Sequence, residues 1–232
     1  LSAPEIALPG KNFNTILWSG TGGDRDFTGV GFQPDLVWQK ARDDTWGHAL
    51  PNSVQGGNSY MSTDVADQPY TNSDNGWIDS FDSDGFSTIS GASNNNWWND
   101  VTDTFVGWNW KAGGAPTADN SAGVGAVPTA GSVKIDGSNL GSALAGTIAA
   151  TRLTANTEAG FSMATWSGNS IAGASVAHGL SQAPDLIMNK NKTASNSGGW
   201  YTYQLGTTAT PEDYFQSWND EREARLGTFA WN

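Results

Sequence analysis

Residues 18–40 read Trp-Ser-Gly, a polar insert, and then Gly-Phe-Gln-Pro-Asp-Leu-Val-Trp-Gln-Lys, and this pattern occurs twice in the chain. Residues 166–190 again begin with Trp-Ser-Gly and end with Leu-Ser-Gln-Ala-Pro-Asp-Leu-Ile-Met-Asn-Lys. The two copies are about 150 residues apart, as the positions of Pro34 and Pro184 show, whereas solenoid units repeat roughly every 20 to 50 residues. A period of this length is that of a whole domain, so the sequence predicts two tandem copies of one domain.

Short β-prone runs separated by turn residues predict an all-β fold. Gly accounts for 29 of the 232 residues and hydrophobic residues for 37%, which is typical of short strands joined by tight turns. Strands are predicted at 13–18, 36–38, 46–50, 60–62 and 104–110, with a hairpin at 77–89 around an Asp-Gly turn. Together with the duplication, these strands predict two tandem β-sandwich domains. The alternative is one closed barrel in which strands of both copies pair.

The predicted domain organisation follows the two copies. Residues 1–12 form a lead-in segment, and residues 13–114 form the first sandwich, which we call the first copy. Residues 115–157 are rich in Ala, Gly, Ser and Thr and are predicted to be an extended, partly ordered linker. Residues 158–232 form the second sandwich, which we call the second copy.

The second copy is predicted to be incomplete. Trp231 aligns with Trp77, so the counterparts of the hairpin at 82–85 and of the strand at 105–110 would lie beyond Asn232. A sandwich without these strands would expose core side chains and unpaired backbone groups, which natural proteins avoid. We expect either that the polypeptide continues past Asn232, which we favour, or that a neighbouring chain donates the missing strands.

Charge and composition exclude several classes of partner. Lys and Arg total 11 against 23 Asp and Glu, for a formal net charge of -12, so the phosphate neutralisation that drives nucleic-acid binding is lacking. The chain has no Cys and therefore neither a disulfide framework nor a thiolate metal site. No run of about 18 apolar residues is present, which predicts no membrane insertion.

The sequence lacks the minimum parts of an enzyme site. His48 and His178 do not occupy equivalent places in the two copies, and neither a Gly-x-Ser-x-Gly elbow nor a phosphate-binding Gly-x-x-x-x-Gly-Lys run is present. Asp79, Asp82 and Asp84 are close enough in sequence to suggest calcium ligands, but the EF-hand spacing is absent and a solvated hairpin turn is favoured. We therefore predict no catalytic residues, no metal site and no cofactor.

The twelve tryptophans are the feature of the composition that most strongly suggests a binding function. Those on predicted strands, at positions 18, 38, 108, 110 and 166, are expected in a core or half-buried. Trp97 and Trp98 stand side by side in an Asn-rich loop and cannot both point into one core if the segment is extended. Trp97, Trp98, Trp200 and Tyr201 are therefore the candidate ligand-binding residues, with local packing or oligomer contact as the alternative.

Several motifs together resemble one known family. They are residues 29–40, residues 80–86 (Ser-Phe-Asp-Ser-Asp-Gly-Phe), residues 106–114 (Val-Gly-Trp-Asn-Trp-Lys-Ala-Gly-Gly), residues 156–162 and residues 178–185. The chain from Phe13 to its end resembles the repeated domain of unknown function found in tail-fibre and other virion proteins of tailed bacteriophages, especially those of marine bacteria and cyanobacteria. Asn109 departs from the Cys or small residue expected within the Trp-x-Trp motif.

The resemblance implies a structural protein of an extracellular virion particle. The expected fold is a lectin-like, jelly-roll type β-sandwich, and the expected role is that of a tail or head fibre or appendage subunit that recognises a host-surface glycan. Its expected partners are other virion proteins and further copies of itself, with a trimer favoured by analogy to phage fibres. The alternatives are a secreted carbohydrate-binding module and a purely architectural connector; a fibre depolymerase would need two carboxylates about 5 to 10 Å apart in a groove.

Overall fold

The computed structural model describes residues 9–71, 74–91, 97–193, 199–218 and 224–227. Nine strands belong to the first copy: β1 (Phe13–Ser19), β2 (Arg25–Phe27), β3 (Leu36–Ala41), β4 (Leu50–Asn52), β5 (Gly56–Met61), β6 (Tyr70–Thr71), β7 (Trp77–Asp82), β8 (Gly85–Ile89) and β9 (Thr104–Trp110). The following strands are β10 (Val133–Ile135), β11 (Ser138–Asn139), β12 (Arg152–Asn156), β13 (Phe161–Thr165), β14 (Leu186–Lys190), β15 (Trp200–Gln204), β16 (Tyr214–Phe215) and β17 (Arg225–Leu226).

The described residues contain no α-helix, only two short 3-10 helices, Pro9–Lys11 and Pro211–Asp213. None of these helices is long and apolar enough to cross a membrane. The predicted all-β class is therefore confirmed. The predicted hairpin is also present, with β7 and β8 paired around the turn at 82–85.

The first copy is a sandwich of two antiparallel sheets. A six-stranded sheet has the order β1-β9-β3-β4-β5-β6, and a three-stranded sheet has the order β2-β8-β7. The core between them contains Trp18, Phe27, Val37, Ala41, Tyr60, Ile78, Phe86 and Phe105 of the two sheets, together with Ala49 and Trp98 of the connecting segments. This packing of two apolar faces is the two-layer arrangement that the alternating strands predict.

Strand β9 is last in the first copy but lies inside its larger sheet. It pairs antiparallel with β1 on one side and with β3 on the other. Successive side chains of a strand point to opposite faces, so Phe105 stacks on Trp18 in the sandwich core, at 5.4 Å between ring centroids. Trp108 and Trp110 point to the other face, where both contact the ring of Trp38.

The second face of the six-stranded sheet packs against the second copy. Leu36, Leu50 and Trp200 are buried there, with Trp38, Met61, Trp110, Phe161, Met163, Met188 and Trp218 packed around them. We call these ten residues the shared cluster. Because both faces of the sheet are covered, β3 and β9 read as nearly continuous apolar or aromatic runs instead of alternating cleanly.

Residues 115–157 differ from the extended linker that their composition predicts. Strands β10, β11 and β12 join β13 in a four-stranded sheet, in which β10 and β12 are parallel. Val133, Leu144, Ala150, Leu153 and Ala155 form a buried core of their own. Small residues make this packing close: a Cβ atom at Gly113 would lie 2.5 Å from the carbonyl oxygen of Ala155. This segment of low charge and small side chains therefore forms a packed sheet instead of an extended connection. The domain boundaries stay a prediction.

The second copy repeats the first only in part. Strand β13 corresponds to β1 and β14 to β3; β14 pairs with β15, and β16 pairs with β17. Among the described residues, no strand of the first copy pairs with a strand of the second. The barrel formed jointly by both copies is therefore not the arrangement of this chain.

The turn after β1 supplies a test of the packing. A Cβ atom at Gly20 would lie 1.6 Å from the backbone oxygen of Asp100, whereas one at Gly23 would meet nothing within 4 Å. We expect Gly20→Ala to lower the free energy of unfolding by about 1–3 kcal/mol, because backbone atoms must move to admit the methyl group. Gly23→Ala should change it by less than about 0.5 kcal/mol. Urea denaturation followed by tryptophan fluorescence checks both, and equal stabilities would contradict the close approach.

Candidate functional site

Trp97 and Trp98, the first candidate pair, differ in burial. Trp98 is fully buried, and its ring meets Tyr60 edge-on at 5.4 Å. Its carbonyl oxygen accepts a hydrogen bond from the indole N–H of Trp18 at 3.2 Å. Burial leaves Trp98 with no ring face for a ligand, whereas Trp97 is partly exposed. The two residues lie in a turn and not in an extended segment, so the alternation expected of a strand does not apply to them.

Trp97 belongs to a group of three half-buried aromatic residues with Trp46 and Tyr70, which we call the aromatic rim. The ring of Trp97 lies 5.7 Å from that of Trp46 and 6.5 Å from that of Tyr70. Each neighbour is held by a carboxylate: the indole N–H of Trp46 donates to Asp103 at 3.0 Å, and the hydroxyl of Tyr70 donates to Asp67 at 2.7 Å. The rim therefore combines aromatic faces with carboxylate oxygens.

The surroundings of the rim raise the pKa values of Tyr70 and Asp103. Burial raises the pKa of Tyr70 to about 12, with the hydrogen bond to Asp67 adding to the effect. Burial also raises the pKa of Asp103, against the effect of its hydrogen bond from Trp46. At neutral pH the Tyr70 hydroxyl is therefore a neutral donor, and Asp67 is the acceptor that orients it.

The second candidate pair belongs to the contact between the copies. Trp200 is buried in the shared cluster, its ring stacks on Trp218 at 6.2 Å, and its indole N–H donates to the carbonyl oxygen of Ser62 at 2.7 Å. Tyr201 is half-buried and meets the ring of Phe215 edge-on at 5.1 Å. Burial leaves Trp200 no accessible ring face. A ligand-binding role for these residues stays a prediction, which the geometry restricts to Trp97 and Tyr201.

One segment of the first copy touches both candidate pairs. The carbonyl oxygen of Ser62 accepts a hydrogen bond from the indole N–H of Trp200. Tyr70, eight residues later, packs against Trp97. Between them, the carbonyl oxygen of Ala66 accepts a hydrogen bond from the ammonium group of Lys190 at 2.9 Å. The aromatic rim is thus connected to the second copy through residues 62–70. Sequence reasoning missed Tyr70; its signal was a single aromatic residue inside a polar loop.

Asp35, the acid of the repeated Pro-Asp motif, is a buried anchor. Its carboxylate accepts hydrogen bonds from the Ser53 hydroxyl at 2.6 Å and from the backbone N–H groups of Ala112 at 2.7 Å and Gly114 at 3.2 Å. Burial nevertheless raises the pKa of Asp35. The carboxylate fastens the chain immediately after β9 to the beginning of β3. Sequence reasoning used this residue only as a turn marker, although its recurrence in both copies was the available signal.

Three further ionisable candidates, Asp84, His48 and His178, have structural partners. The Asp84 carboxylate accepts the backbone N–H groups of Gly29 and Gly31, which lowers the pKa of Asp84. His48 accepts the indole N–H of Trp38 at 2.8 Å, and burial lowers its pKa. His178 accepts the backbone N–H of Leu180. In the described ranges, no three His, Asp or Glu side chains are arranged to hold a metal ion.

The described fold places the chain among all-β proteins built from antiparallel sheets packed face to face. The sequence profile of the family described as "Domain of unknown function (DUF7483)" matches residues 8–138 and again residues 134–225. The chain belongs to this family, whose profile matches it in two segments that overlap at residues 134–138. No curated protein and no solved structure matches the chain significantly.

Asp35 allows a test of the anchor. Asp35→Ala leaves two buried backbone N–H groups without their acceptor and should lower the free energy of unfolding by about 2–4 kcal/mol. Asp35→Asn should cost far less, because its amide oxygen can accept both N–H groups while its NH₂ group donates to Ser53. Urea denaturation at pH 7 measures the difference. Equal losses in the two variants would contradict the hydrogen-bonding role.

The same variants test the charge of Asp35. A raised pKa means that the folded state binds the proton more readily, so this group's contribution to stability decreases as pH rises above the unfolded value of about 3.9. We therefore expect the stability of Asp35→Asn relative to the natural chain to increase between pH 4 and pH 7. A difference that stays constant over this range would show that burial does not penalise the carboxylate.

Proposed function

We propose that the chain is a structural component of a phage virion, a subunit of a tail or head fibre or appendage, which recognises a glycan of the host surface. The virion role is supported by the motifs that resemble virion proteins, which lie within the two segments that the family profile matches. A second support is the packing of the two copies against each other through the shared cluster, which suits a structural component of a particle. Other virion proteins and further copies of the chain, as a trimer, are its proposed partners.

The aromatic rim is the observation that carries the glycan part of the proposal. The C–H faces of a sugar ring pack on aromatic rings, and carboxylate oxygens accept hydrogen bonds from sugar hydroxyls. Trp46, Trp97 and Tyr70 provide partly exposed rings, and Asp67 and Asp103 stand beside them. A small number of polar groups among aromatic side chains is the usual composition of a small-ligand site.

A purely architectural role is the second candidate, and the burial of most tryptophans favours it. Trp98 lies in the core of the first copy and Trp200 in the shared cluster, where Trp38, Trp110 and Trp218 also pack. In this alternative the aromatic residues serve stability alone, and the rim binds no ligand.

Glycan-array binding of the natural chain and of Trp97→Ala separates the two roles. If the rim binds a glycan, the natural chain should bind a defined subset of the array, and Trp97→Ala should weaken that binding at least about tenfold, since truncating a central aromatic contact residue costs on the order of 2 kcal/mol. Trp97→Phe, which keeps a ring, should retain more binding. Phe13→Ala, which removes another partly exposed ring, is the matched control and should bind normally.

Mass spectrometry of purified particles tests the virion role independently. The chain should be found in stoichiometric amount with other particle proteins. Its absence from the particle would overturn the virion proposal, whereas its presence without any glycan binding would leave the architectural role.

A further inference from the structure

Two rings of the aromatic rim donate their polar hydrogen atom to a carboxylate. The indole N–H of Trp46 donates to Asp103, and the hydroxyl of Tyr70 donates to Asp67. An aromatic ring carries negative potential on its face and positive potential at its edge. A carboxylate that accepts the hydrogen atom at the edge polarises the ring and makes its face more negative. The faces of these two rings are therefore suited to a cation.

Asp103 is a buried carboxylate without a cationic partner. It is 8% exposed. Burial raises its pKa, and repulsion from the carboxylates of Asp100, Asp44 and Asp43 adds to the effect. Within the described ranges, no Lys or Arg side chain forms an ion pair with Asp103. Buried charges in proteins are usually paired, so a positive charge bound beside Trp46 would offset a cost that the fold otherwise carries.

Negative charge exceeds positive charge around the rim. Electrostatic interactions connect Tyr70 and Asp103 with further acidic side chains. Together the carboxylates of this region are those of Asp43, Asp44, Asp64, Asp67, Asp100 and Asp103. Three cationic side chains accompany them, at positions 40, 42 and 190. Residues 72–73 and 92–96, which adjoin the rim in sequence, contain no charged side chain.

The ammonium groups of this region are already held by the backbone. That of Lys40 donates to the carbonyl oxygens of Ala41 and Asp44, and that of Lys190 donates to those of Ala66 and Asn191. The described cations therefore leave a surplus of negative charge at the rim. Such a surplus attracts cations and repels anions.

We infer that the aromatic rim prefers a ligand with an alkylammonium group over a neutral or an anionic ligand. The inference rests on the proposed glycan site and specifies its ligand class: a glycan that contains an amino sugar or carries a choline substituent. Trp97 contacts both carboxylate-bound rings, so its ring packs on the C–H groups next to the nitrogen atom. Asp67 and Asp103 supply the opposite charge.

Choline and its neutral isostere 3,3-dimethylbutan-1-ol test the inference on the 232-residue chain. An NMR titration at constant ionic strength follows the indole N–H signals of the tryptophans. We expect choline to cause saturable shifts at Trp46 and Trp97, and the isostere to bind about tenfold more weakly because it lacks the cation–π attraction. Equal affinity for the two compounds, or no saturable shift with choline, would overturn the inference.

Variants without the charge show whether the rim itself attracts the cation. Asp67→Asn and Asp103→Asn each keep an oxygen that accepts the hydrogen bond of Tyr70 or Trp46. Each should weaken choline binding about threefold, as expected for the loss of a partly exposed charge pair, and should leave binding of the isostere unchanged. Asp79→Asn removes an exposed charge from the smaller sheet and is the matched control, which should bind choline normally. Equal weakening in all three variants would assign the attraction to net charge alone and overturn the inference.

A glycan array distinguishes the two sources of the ammonium group and separates this inference from the proposed glycan function. Its arms are glucosamine oligomers, choline-substituted glycans, N-acetylated neutral oligomers and glycans of uronic acids. We expect binding to one of the first two arms and binding at least about tenfold weaker to the last two. Equal or stronger binding of neutral or acidic glycans would overturn the charge preference and leave the glycan function intact. Choline binding at the rim without binding to any glycan would support the charge preference and overturn the glycan function.

Discussion

The first copy depends on the insertion of β9 between β1 and β3. This strand forms backbone hydrogen bonds along both edges, although its paired residues precede it by 64 to 97 positions. Its side chains fill two cores at once: Phe105 packs in the sandwich, and Trp110 packs in the shared cluster. Asp35 then fastens the residues that follow the strand. A single strand thus closes the sheet, supports both of its faces and leads the chain to the packed segment that precedes the second copy.

The covered outer face of the sheet explains why the chain contains so many tryptophans. Indole rings fill a large apolar volume and still offer one N–H group for a hydrogen bond. Trp200 uses both properties, because its ring packs in the shared cluster while its N–H reaches Ser62 of the other copy. Most of the tryptophans that composition alone would assign to ligand binding therefore join the copies or fill a core. Within the aromatic rim, Trp46 and Trp97 keep part of their surface exposed.

The duplication and the all-β fold could be predicted from sequence because they depend on local patterns. Strand β1, the hairpin of β7 and β8, and strand β9 all lie within a residue or two of their predicted positions. The burial of Trp98 and Trp200 could not be predicted, since it depends on contacts with Tyr60 and with Ser62, which are distant in sequence. The packing of residues 115–157 was missed for another reason: Ala and Gly are typical of linkers, but they also allow the close backbone approach seen at Gly113.

Amide hydrogen exchange in the 232-residue chain, measured residue by residue under native conditions, tests the central role of β9 most directly. The N–H groups of Ile16 and Trp38 face β9, whereas that of Leu17 faces the outer edge of β1, with which no described strand pairs. The first two should exchange only through the rare openings that unfold the sheet, whereas the N–H group of Leu17 should exchange orders of magnitude faster. Equal exchange rates for the three amides would contradict this account, since they would mean that β9 does not protect β1 and β3.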